Sequence, residues 1–344
     1  MKRFVFLLSL LCLFTTLRLN AQGCTQTGFF RDGINMTAAV INPTSTVSGM
    51  LDASGCNIGV YIDSVDATID TAEIFGANYF GVLVNGDVNT VSASISNSNI
   101  HDISETPPNG TQHGAGIYFR SYFLTGSASG TISGNTITSY QKGGIVANGQ
   151  GVNVAITDNV VTGLGRVTYI AQNGIQVGYG ASASIMRNTV SGNAYTGTNN
   201  ASSGGILVVG GPGYNDQTGA CPDGNPCPYT VNTRIIQNTV RESDVGVWLS
   251  NADVAPTYNP PASATNIKVV NNVLSNLMVT NISGCGSPLI YQAGVSDEGN
   301  NDKIISNSIS GFGYANNNLN GCGTFSIDTT VTVRSKVHAN TITN

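Results

Sequence analysis

Hydrophobic positions recur along this chain in two short phrases that alternate with each other. The first phrase has apolar residues at its first and sixth positions and Asn at its fourth, as in ISGNTI at 132–137. Further copies occupy 156–161, 185–190, 235–240, 269–274, 304–309 and 337–342, and an earlier copy at 95–100 carries Ser98 instead of Asn. The second phrase, Gly followed by apolar-x-apolar, begins at Gly81, Gly116, Gly144, Gly174, Gly205 and Gly246. Internal repeats of this kind indicate a solenoid.

Each phrase is too short for a helix and is rich in Ile, Val and Thr, so each predicts a strand. The closest spacing, from Ile132 to Ile156, is 24 residues, which suits one three-strand coil of a parallel β-helix. Longer spacings indicate loops inserted at the corners. We therefore predict an all-β chain, a β-solenoid of three strands per coil and about nine or ten coils. A propeller is disfavoured because its blades need four strands and a regular period of about 40 residues.

The Asn of the first phrase lies between two apolar positions and predicts a bend. Asn tolerates the left-handed backbone conformation, and its side chain can bond to backbone groups around a turn. Stacked at the same point of successive coils, these residues are expected to form an amide ladder of Asn135, Asn159, Asn188, Asn238, Asn272, Asn307 and Asn340.

Together the two phrases resemble the right-handed parallel β-helix repeat of the pectate-lyase-like superfamily, from about Gly81 to the C-terminus. The resemblance implies a right-handed coil. It does not imply a single activity, since the superfamily holds polysaccharide lyases, glycoside hydrolases, epimerases, esterases, phage tailspikes and adhesins.

The N-terminal segment predicts a secretory signal over residues 1–21. Lys2 and Arg3 precede an apolar run at 4–13, and Ala21 offers a small residue for cleavage. No later run approaches the roughly 20 apolar residues that a spanning helix needs. We expect a secreted protein, extracellular or periplasmic, without a membrane span. Residues 22–80 are expected to form an N-terminal cap and the first coils, and residues 81–344 the remaining repeats of the same domain.

The charge balance argues against nucleic acid as a partner. Loss of Lys2, Arg3 and Arg18 with the signal leaves 11 basic and 19 acidic residues, a formal charge of −8. The linear sequence shows no basic stripe that would follow a phosphate backbone.

Six cysteines remain in the mature chain, and an even number in an exported protein predicts disulfides. Sequential pairing is the preferred arrangement among the 15 connectivities that six cysteines allow. It joins Cys24 to Cys56, Cys221 to Cys227, and Cys285 to Cys322.

The Gly-led strand is predicted to be the floor of a groove between two rows of loops. Loops precede it at 101–114, 162–173, 191–203 and 275–292, and follow it at 209–231 and 250–264. Alternation along a strand directs Ile117 and Phe119 inward and Tyr118 and Arg120 outward. The same register predicts a floor of Val146, Asn148, Gln176, Gly178, Leu207, Val209, Trp248 and Ser250.

Four chemically capable residues are expected to converge in this groove, because coils stack about 4.8 Å apart. They are His113, Arg120, Lys142 and Gln172. Elimination at a uronic acid needs a cation beside the carboxylate and a base for the neighbouring proton. We assign Lys142 or His113 as the base and Arg120 as the cation. Substrate contacts are assigned to Tyr118, Gln172, Gln176 and Trp248, whose aromatic members suit sugar rings.

The carboxylates offer alternatives. Asp102 and Glu105 would suit a hydrolase if their carboxyl groups lay about 5–10 Å apart. Lyases of the resembled superfamily often hold Ca²⁺ in a carboxylate cluster, and no such cluster is evident here. Asp297, Glu298 and Asp302 form the one acidic group that would offer Ca²⁺ oxygen ligands, although a turn role is the preferred interpretation. No cofactor is therefore assigned.

These observations favour a secreted β-helix that binds an extended acidic polysaccharide or cell-surface glycan, with cleavage of that polymer as the catalytic version of this function. The alternative is a non-catalytic structural or adhesive solenoid. A monomer is expected because Arg334, Lys336 and His338 place charge near the last coil, and charged edges resist strand addition.

Overall fold

The computed structural model describes residues 23–197, 199, 201–214, 221–251, 259–276, 292–312, 324–329 and 332–343, with the backbone of 18–19. The N-terminal strands are β1 (Arg18–Leu19), β2 (Thr25–Arg31), β3 (Ile34–Ile41), β4 (Val47–Asp52), β5 (Ile58–Ile62) and β6 (Ala67–Phe75). The next four coils contain β7 (Phe80–Asn85), β8 (Thr90–Ser96), β9 (Asn99–His101), β10 (Ala115–Arg120), β11 (Ser127–Ser133), β12 (Thr136–Thr138), β13 (Gly143–Asn148), β14 (Val152–Thr157), β15 (Val160–Val167), β16 (Asn173–Gly178), β17 (Ser182–Met186) and β18 (Thr189–Tyr195). The last four contain β19 (Gly204–Gly210), β20 (Arg234–Ile236), β21 (Thr239–Ser243), β22 (Val245–Asn251), β23 (Lys268–Val270), β24 (Val273–Ser275), β25 (Gln292–Asp297), β26 (Lys303–Ile305), β27 (Ser308–Ser310), β28 (Thr324–Asp328), β29 (Lys336–His338) and β30 (Thr341–Thr343).

These strands form two long sheets that wrap around one core. The Gly-led strands lie in an 11-stranded sheet in the order β2-β3-β5-β7-β10-β13-β16-β19-β22-β25-β28, and all its pairs are parallel except β2 with β3. The 19 remaining strands form the other sheet, which bends at the Asn positions. Each coil from β7 onward contributes one strand to the first sheet and two to the second. The predicted right-handed parallel β-helix with three strands per coil is confirmed.

The core consists of apolar columns that run through successive coils. Ile117 pairs in register with Ile145 and Val82, and Phe119 pairs with Ala147 and Val84. These residues belong to one continuous buried cluster along the solenoid. The predicted inward and outward alternation along the Gly-led strand is therefore confirmed.

The glycine that leads this strand is required by close packing. A Cβ added at Gly116 would lie 2.5 Å from Cγ2 of Ile137 and 2.7 Å from the carbonyl oxygen of Gly144. Any side chain there would push neighbouring coils apart, which explains why the phrase recurs with Gly.

The predicted amide ladder is present, but the predicted backbone conformation of Asn is wrong. Asn159 accepts a hydrogen bond from the backbone N–H of Asn135 at 3.0 Å, and its Nδ2 donates to the Ile132 carbonyl at 2.9 Å. The same contacts continue through Asn188, Asn238, Asn272, Asn307 and Asn340. The residue before each Asn holds the left-handed conformation, for example Asp158 at φ 59°. Each Asn side chain therefore bonds across a bend that its neighbour makes.

An antiparallel hairpin, β2 with β3, lies at the N-terminal end of the 11-stranded sheet. The Cys24–Cys56 disulfide joins the start of this hairpin to the turn before β5, and the Cys221–Cys227 disulfide closes a short loop. Both were predicted. The third predicted pair, Cys285 with Cys322, lies outside the described residues, as does most of the predicted signal segment. In the part of the chain described above, no helix combines the length and apolar character needed to cross a membrane.

Candidate functional site

A groove of about 700 Å³ lies over the outer face of the 11-stranded sheet. Its floor contains the outward side chains of β10, β13, β16 and β19, which are Tyr118, Arg120, Val146, Asn148, Gln176, Leu207 and Val209. A shallower depression continues past Leu207 and Val209 to Trp248 and Ser250. The residues predicted from strand alternation to form the floor, apart from Gly178, therefore line this groove or its continuation.

The β2–β3 hairpin closes one end of the groove. The Arg120 guanidinium carbon lies 4.7 Å from the Phe29 ring centroid, and Arg31 donates a hydrogen bond to the Gln112 carbonyl at 3.1 Å. Asp32 Oδ2 approaches His113 Nδ1 to 3.9 Å. Residues 29–32 therefore touch both sides of the floor and make its N-terminal end blind. The sequence carried no repeat signal in this segment, so its role in the groove was not predicted.

Arg120 is held rigidly on one side of the floor. Its Nη2 lies 2.9 Å from Oδ2 of Asp87, and its guanidinium stacks between Phe29 and Tyr122. Asp87 also accepts a hydrogen bond from the Tyr122 backbone N–H at 2.9 Å. The charge of Arg120 is thus already balanced by a buried carboxylate, a partner that the sequence analysis did not identify.

His113 lies on the opposite side, oriented by a carboxylate. Its Nε2 is 2.6 Å from Oε1 of Glu105, and its ring stacks on Tyr79 with centroids 3.6 Å apart. The loop that carries His113 is organised by Gln141, which accepts from the backbone N–H of Glu105 and donates to the Thr111 carbonyl. This arrangement holds the imidazole with Nε2 occupied and Nδ1 on the side of Asp32.

Lys142 is half-buried on the same side as His113, one coil further along. Its Nζ donates a hydrogen bond to the Ala171 carbonyl at 2.7 Å. Among the described residues no carboxylate pairs with it. Burial lowers the pKa of Lys142 to about 8, because a desolvated ammonium is less stable than a hydrated one. Lys142 is the cation best placed to accept an anionic group from solution.

The expected convergence of the four candidate residues on one point is wrong. Arg120 is the last residue of β10 and His113 lies two residues before its first, Ala115. The strand between them is about 16 Å long at roughly 3.3 Å per residue. They flank the floor from opposite sides. Lys142 and His113 do share one side, since the Lys142 N–H donates to the Gly114 carbonyl at 2.9 Å.

The expectation for Gln172 is also corrected. Its side chain is fully buried, donates to the carbonyls of Tyr140 and Gln141, and accepts from the Leu164 N–H. All of these contacts are structural, and none reaches the groove. The sequence placed Gln172 at the correct corner, but the corner directs this amide between coils.

The other predicted binding residues differ in their exposure. Gln176 is part of the floor, where its amide bonds to Asn148 at 3.2 Å and to Asn173 at 3.2 Å. Tyr118 and Trp248 line the groove and its continuation, but they are 6% and 8% exposed. Little ring surface therefore remains for stacking on a sugar.

The two carboxylates proposed for hydrolysis do not face each other across the groove. Asp102 lies in an exposed bend and pairs with His101 at 2.8 Å, whereas Glu105 pairs with His113. The structure therefore does not assemble a hydrolase pair from them.

The acidic residues near the C-terminal end, Asp297, Glu298 and Asp302, do not form one cluster either. Glu298 accepts hydrogen bonds from Trp248 Nε1 at 3.1 Å and Ser250 Oγ at 2.8 Å. Burial raises the pKa of Glu298. Asp297 pairs in register with Leu249, so its side chain lies on the inward side of the strand, and Asp302 is buried nearby. Across the described residues, no set of three or more His, Cys, Asp or Glu side chains is arranged to hold a metal ion.

Three-strand coils with a loop-walled groove on one sheet define a β-solenoid. The family described as the right-handed β-helix region matches residues 33–216, which is 184 of the 344 residues. The chain therefore belongs to the right-handed β-helix family.

Solved structures with a similar chain path include a complex of XylC with xylose, at 13% identity and a TM-score of 0.47, covering 83% of this chain and 43% of that one. The Dettilon tailspike protein is 14% identical with a TM-score of 0.48, covering 89% of this chain and 54% of that one. A variant of DFA-IIIase from Arthrobacter chlorophenolicus, in complex with DFA-III, is 12% identical with a TM-score of 0.36, covering 86% and 60%. The chain spans about half the length of the first two proteins. A search of curated protein sequences finds no match.

Proposed function

We propose that this protein is a secreted binder of acidic carbohydrate and that its groove holds the end of a polysaccharide chain. The observation that carries the proposal is the Lys142 ammonium. It lies on the wall of the groove, and no carboxylate pairs with it among the described residues. A uronate carboxylate supplies the missing anion, and a partly desolvated ion pair is stronger than one in bulk water.

The floor suits the remaining groups of a sugar. Asn148, Asn173 and Gln176 present linked amides along the groove, and amides both donate to and accept from hydroxyl groups. Because residues 29–32 close the N-terminal end, a chain terminus fits better than the middle of a polymer. The open end continues toward Leu207 and Trp248.

Calorimetry with oligogalacturonides of defined length tests this function. We expect binding by the wild-type protein, a loss of at least tenfold in Lys142→Met, and partial retention in Lys142→Arg. Reduced-end and intact oligomers should differ in affinity if a chain end is bound. Equal binding of a neutral oligosaccharide, or wild-type affinity in Lys142→Met, would contradict the proposal.

A catalytic version of this function is supported by the Glu105–His113 pair beside Lys142. A base oriented by a carboxylate is a recurring catalytic arrangement. In an elimination, His113 Nδ1 takes the proton from the carbon next to the uronate carboxylate. The electron pair of the broken C–H bond forms a double bond to the adjacent carbon, and the glycosidic oxygen leaves that carbon and takes a proton from water. Lys142 would neutralise the carboxylate, while Arg120, paired with Asp87, acts as a positioning residue.

A non-catalytic binder is the second candidate, and the pairing of His113 favours it. Its Nε2 is occupied by Glu105 and its ring is covered by Tyr79. Ultraviolet absorbance of an unsaturated uronide product distinguishes the two candidates. Activity that disappears in His113→Ala but survives in Tyr118→Phe supports the lyase. Binding without any such product supports the non-catalytic solenoid.

Secretion and a monomeric state are further parts of the proposal. Two disulfides are typical of proteins in oxidising compartments. Recovery of the mature protein from the periplasm or medium tests secretion, and light scattering over a range of concentrations tests the monomer.

A further inference from the structure

Four cations occupy one column on the second sheet, on the strand before the Asn bend. Arg234 pairs in register with Lys268, Lys268 with Lys303, and Lys303 with Lys336. Consecutive coils lie about 4.8 Å apart. The expectation of no basic stripe is therefore wrong. The stripe is hidden in the sequence because 33 to 35 residues separate these cations along the chain. We call the four residues the cation column.

The cation column is unbalanced by carboxylates. In the described coils, none of its members forms an ion pair, and Arg234, Lys268 and Lys336 are exposed. Like charges directly opposite each other on neighbouring strands are destabilising. This arrangement stands out in a chain with a formal charge of −5. Stacked like charges on an acidic protein therefore point to an anionic ligand.

Three of the four cations lie in a depression rather than on a flat surface. A cavity of about 360 Å³ is lined by Asn232, Arg234, Asn266, Lys268, Asn301 and Lys303. Two of these asparagines bond to each other, since Asn301 Nδ2 donates to Asn266 Oδ1 at 2.8 Å. Each of these three coils therefore contributes one cation and one amide to the depression.

An aliphatic column runs beside the cations, two residues further along each strand. It consists of half-buried Ile236, Val270 and Ile305 in register, with half-buried Met186 before them beside Ser184 and exposed His338 after them beside Lys336. Proteins that bind single-stranded nucleic acid stack bases on a series of aromatic side chains, whereas the one ring in these two columns is the imidazole of His338 at their C-terminal end. An aliphatic strip suits the C–H faces of sugar rings.

The cation column is confined to the C-terminal coils. The same register position holds Thr131, Ala155 and Ser184 in the three coils before Arg234. A ligand that follows the column therefore covers about four coils.

We propose that this surface is a second binding site, separate from the groove, for a linear acidic polysaccharide that presents one carboxylate or sulfate per coil. The repeat of the coils is close to the length of one sugar unit, so the anions of a straight chain can pair with successive cations. The polymer would lie along the solenoid axis on the sheet that does not form the groove.

Binding of polygalacturonate and heparin oligosaccharides to the mature protein at several salt concentrations tests this site. The test variant carries Arg234→Gln, Lys268→Gln and Lys303→Gln. The matched control carries Arg166→Gln, Arg187→Gln and Arg241→Gln, which remove the same charge elsewhere. We expect the test variant to lose at least tenfold in affinity and to reduce the slope of log K against log salt by about two, since each neutralised cation contributes roughly 0.7 to 0.9 on a polyanion of nucleic-acid charge density. The control should change little.

Two further measurements separate the alternatives. The same salt series in a Lys142→Met background, in which the groove site is weakened, isolates the cation column. The test substitutions should cause the same loss there, so failure of the groove proposal and failure of this one are distinguishable. Ser184→Lys should extend the column and increase affinity. Equal losses in the test and control variants would overturn the proposal in favour of general charge attraction. Tighter binding of single-stranded DNA than of either polysaccharide would overturn the assigned ligand.

Discussion

Asp87 and Arg120 form an ion pair between adjacent coils, with 2.9 Å between Oδ2 and Nη2, and both side chains are about nine-tenths buried. A buried pair is costly to break, because removal of one member leaves the other charged and without compensation. The pair also supports the hairpin, since Phe29 covers the guanidinium. Arg120 therefore connects the stability of the coils with the closed end of the groove.

Arg120→Met should destabilise the protein by about 3–5 kcal/mol, the usual cost of leaving a buried charge unpaired. The double variant Arg120→Met with Asp87→Asn should lose clearly less, because no charge remains uncompensated. Urea unfolding of both variants measures the difference. An equal loss in the single and double variants would show that the stacking of Arg120, and not its charge, dominates.

Affinity for an oligogalacturonide should fall as pH rises through about 8. The pKa of Lys142 is lowered to about 8 by burial, so the side chain is cationic below this pH and neutral above it. Calorimetry between pH 6 and pH 9 measures the loss. Lys142→Arg keeps its charge over this range and should remove the pH dependence. A wild-type affinity that is constant across the range would exclude Lys142 as the anion-binding group.

Asn159→Ala should cost about 2–4 kcal/mol of unfolding free energy, because several buried polar groups lose their partners together. The Asn135 N–H, the Asn135 amide and the Ile132 carbonyl all bond to Asn159. Asn153→Ala is the matched control, since Asn153 is exposed in the same coil. Thermal and urea unfolding measure both variants. If the ladder contributed nothing to stability, Asn159→Ala and Asn153→Ala would lose the same unfolding free energy.

Loss of the Cys24–Cys56 disulfide should destabilise the protein more than loss of Cys221–Cys227. The first closes a separation of 32 residues and the second only 6. Loop-closure entropy then gives about 4 and about 2 kcal/mol. Paired Cys→Ser variants, compared by thermal unfolding under non-reducing conditions, provide the measurement. The first variant should also weaken oligogalacturonide binding, because Cys24 anchors the hairpin that closes the groove.

The repeated strands were predictable from sequence because each repeat contains the same short pattern of apolar, Asn and Gly positions. Ile132 and Ile156 mark equivalent inward positions, and the interval between them gives the length of a coil. The outward direction of Tyr118 and Arg120 could then be predicted from the alternation of side chains along a strand. The hairpin at 25–41 escaped prediction because it occurs once and contains no repeated phrase.

The electrostatic partners escaped prediction for a different reason. Asp87 and Arg120 are neighbours because they lie on adjacent coils, and the same is true of Lys268 and Lys303. The number of residues in a coil varies with its loops, so the sequence spacing does not reveal these neighbours. Gln172 shows the same limit, since residue type alone did not distinguish an amide that faces the groove from one that bonds between coils. The corner conformation, and not the sequence spacing, decides its direction.

Asp302 predicts how stability depends on pH. Burial, followed by the nearby Asp297 carboxylate, raises the pKa of Asp302 from 3.8 to about 8. Between these values the folded protein binds more protons at this group than the unfolded chain, so stability should fall as pH rises from about 4 to about 8. Asp302→Asn keeps the acceptor for Thr265 and the Ile267 N–H but cannot ionise. The variant should therefore gain in melting temperature relative to wild type from pH 5 to pH 9. Differential scanning calorimetry across this range checks the sign, and a constant difference between the two proteins would contradict it.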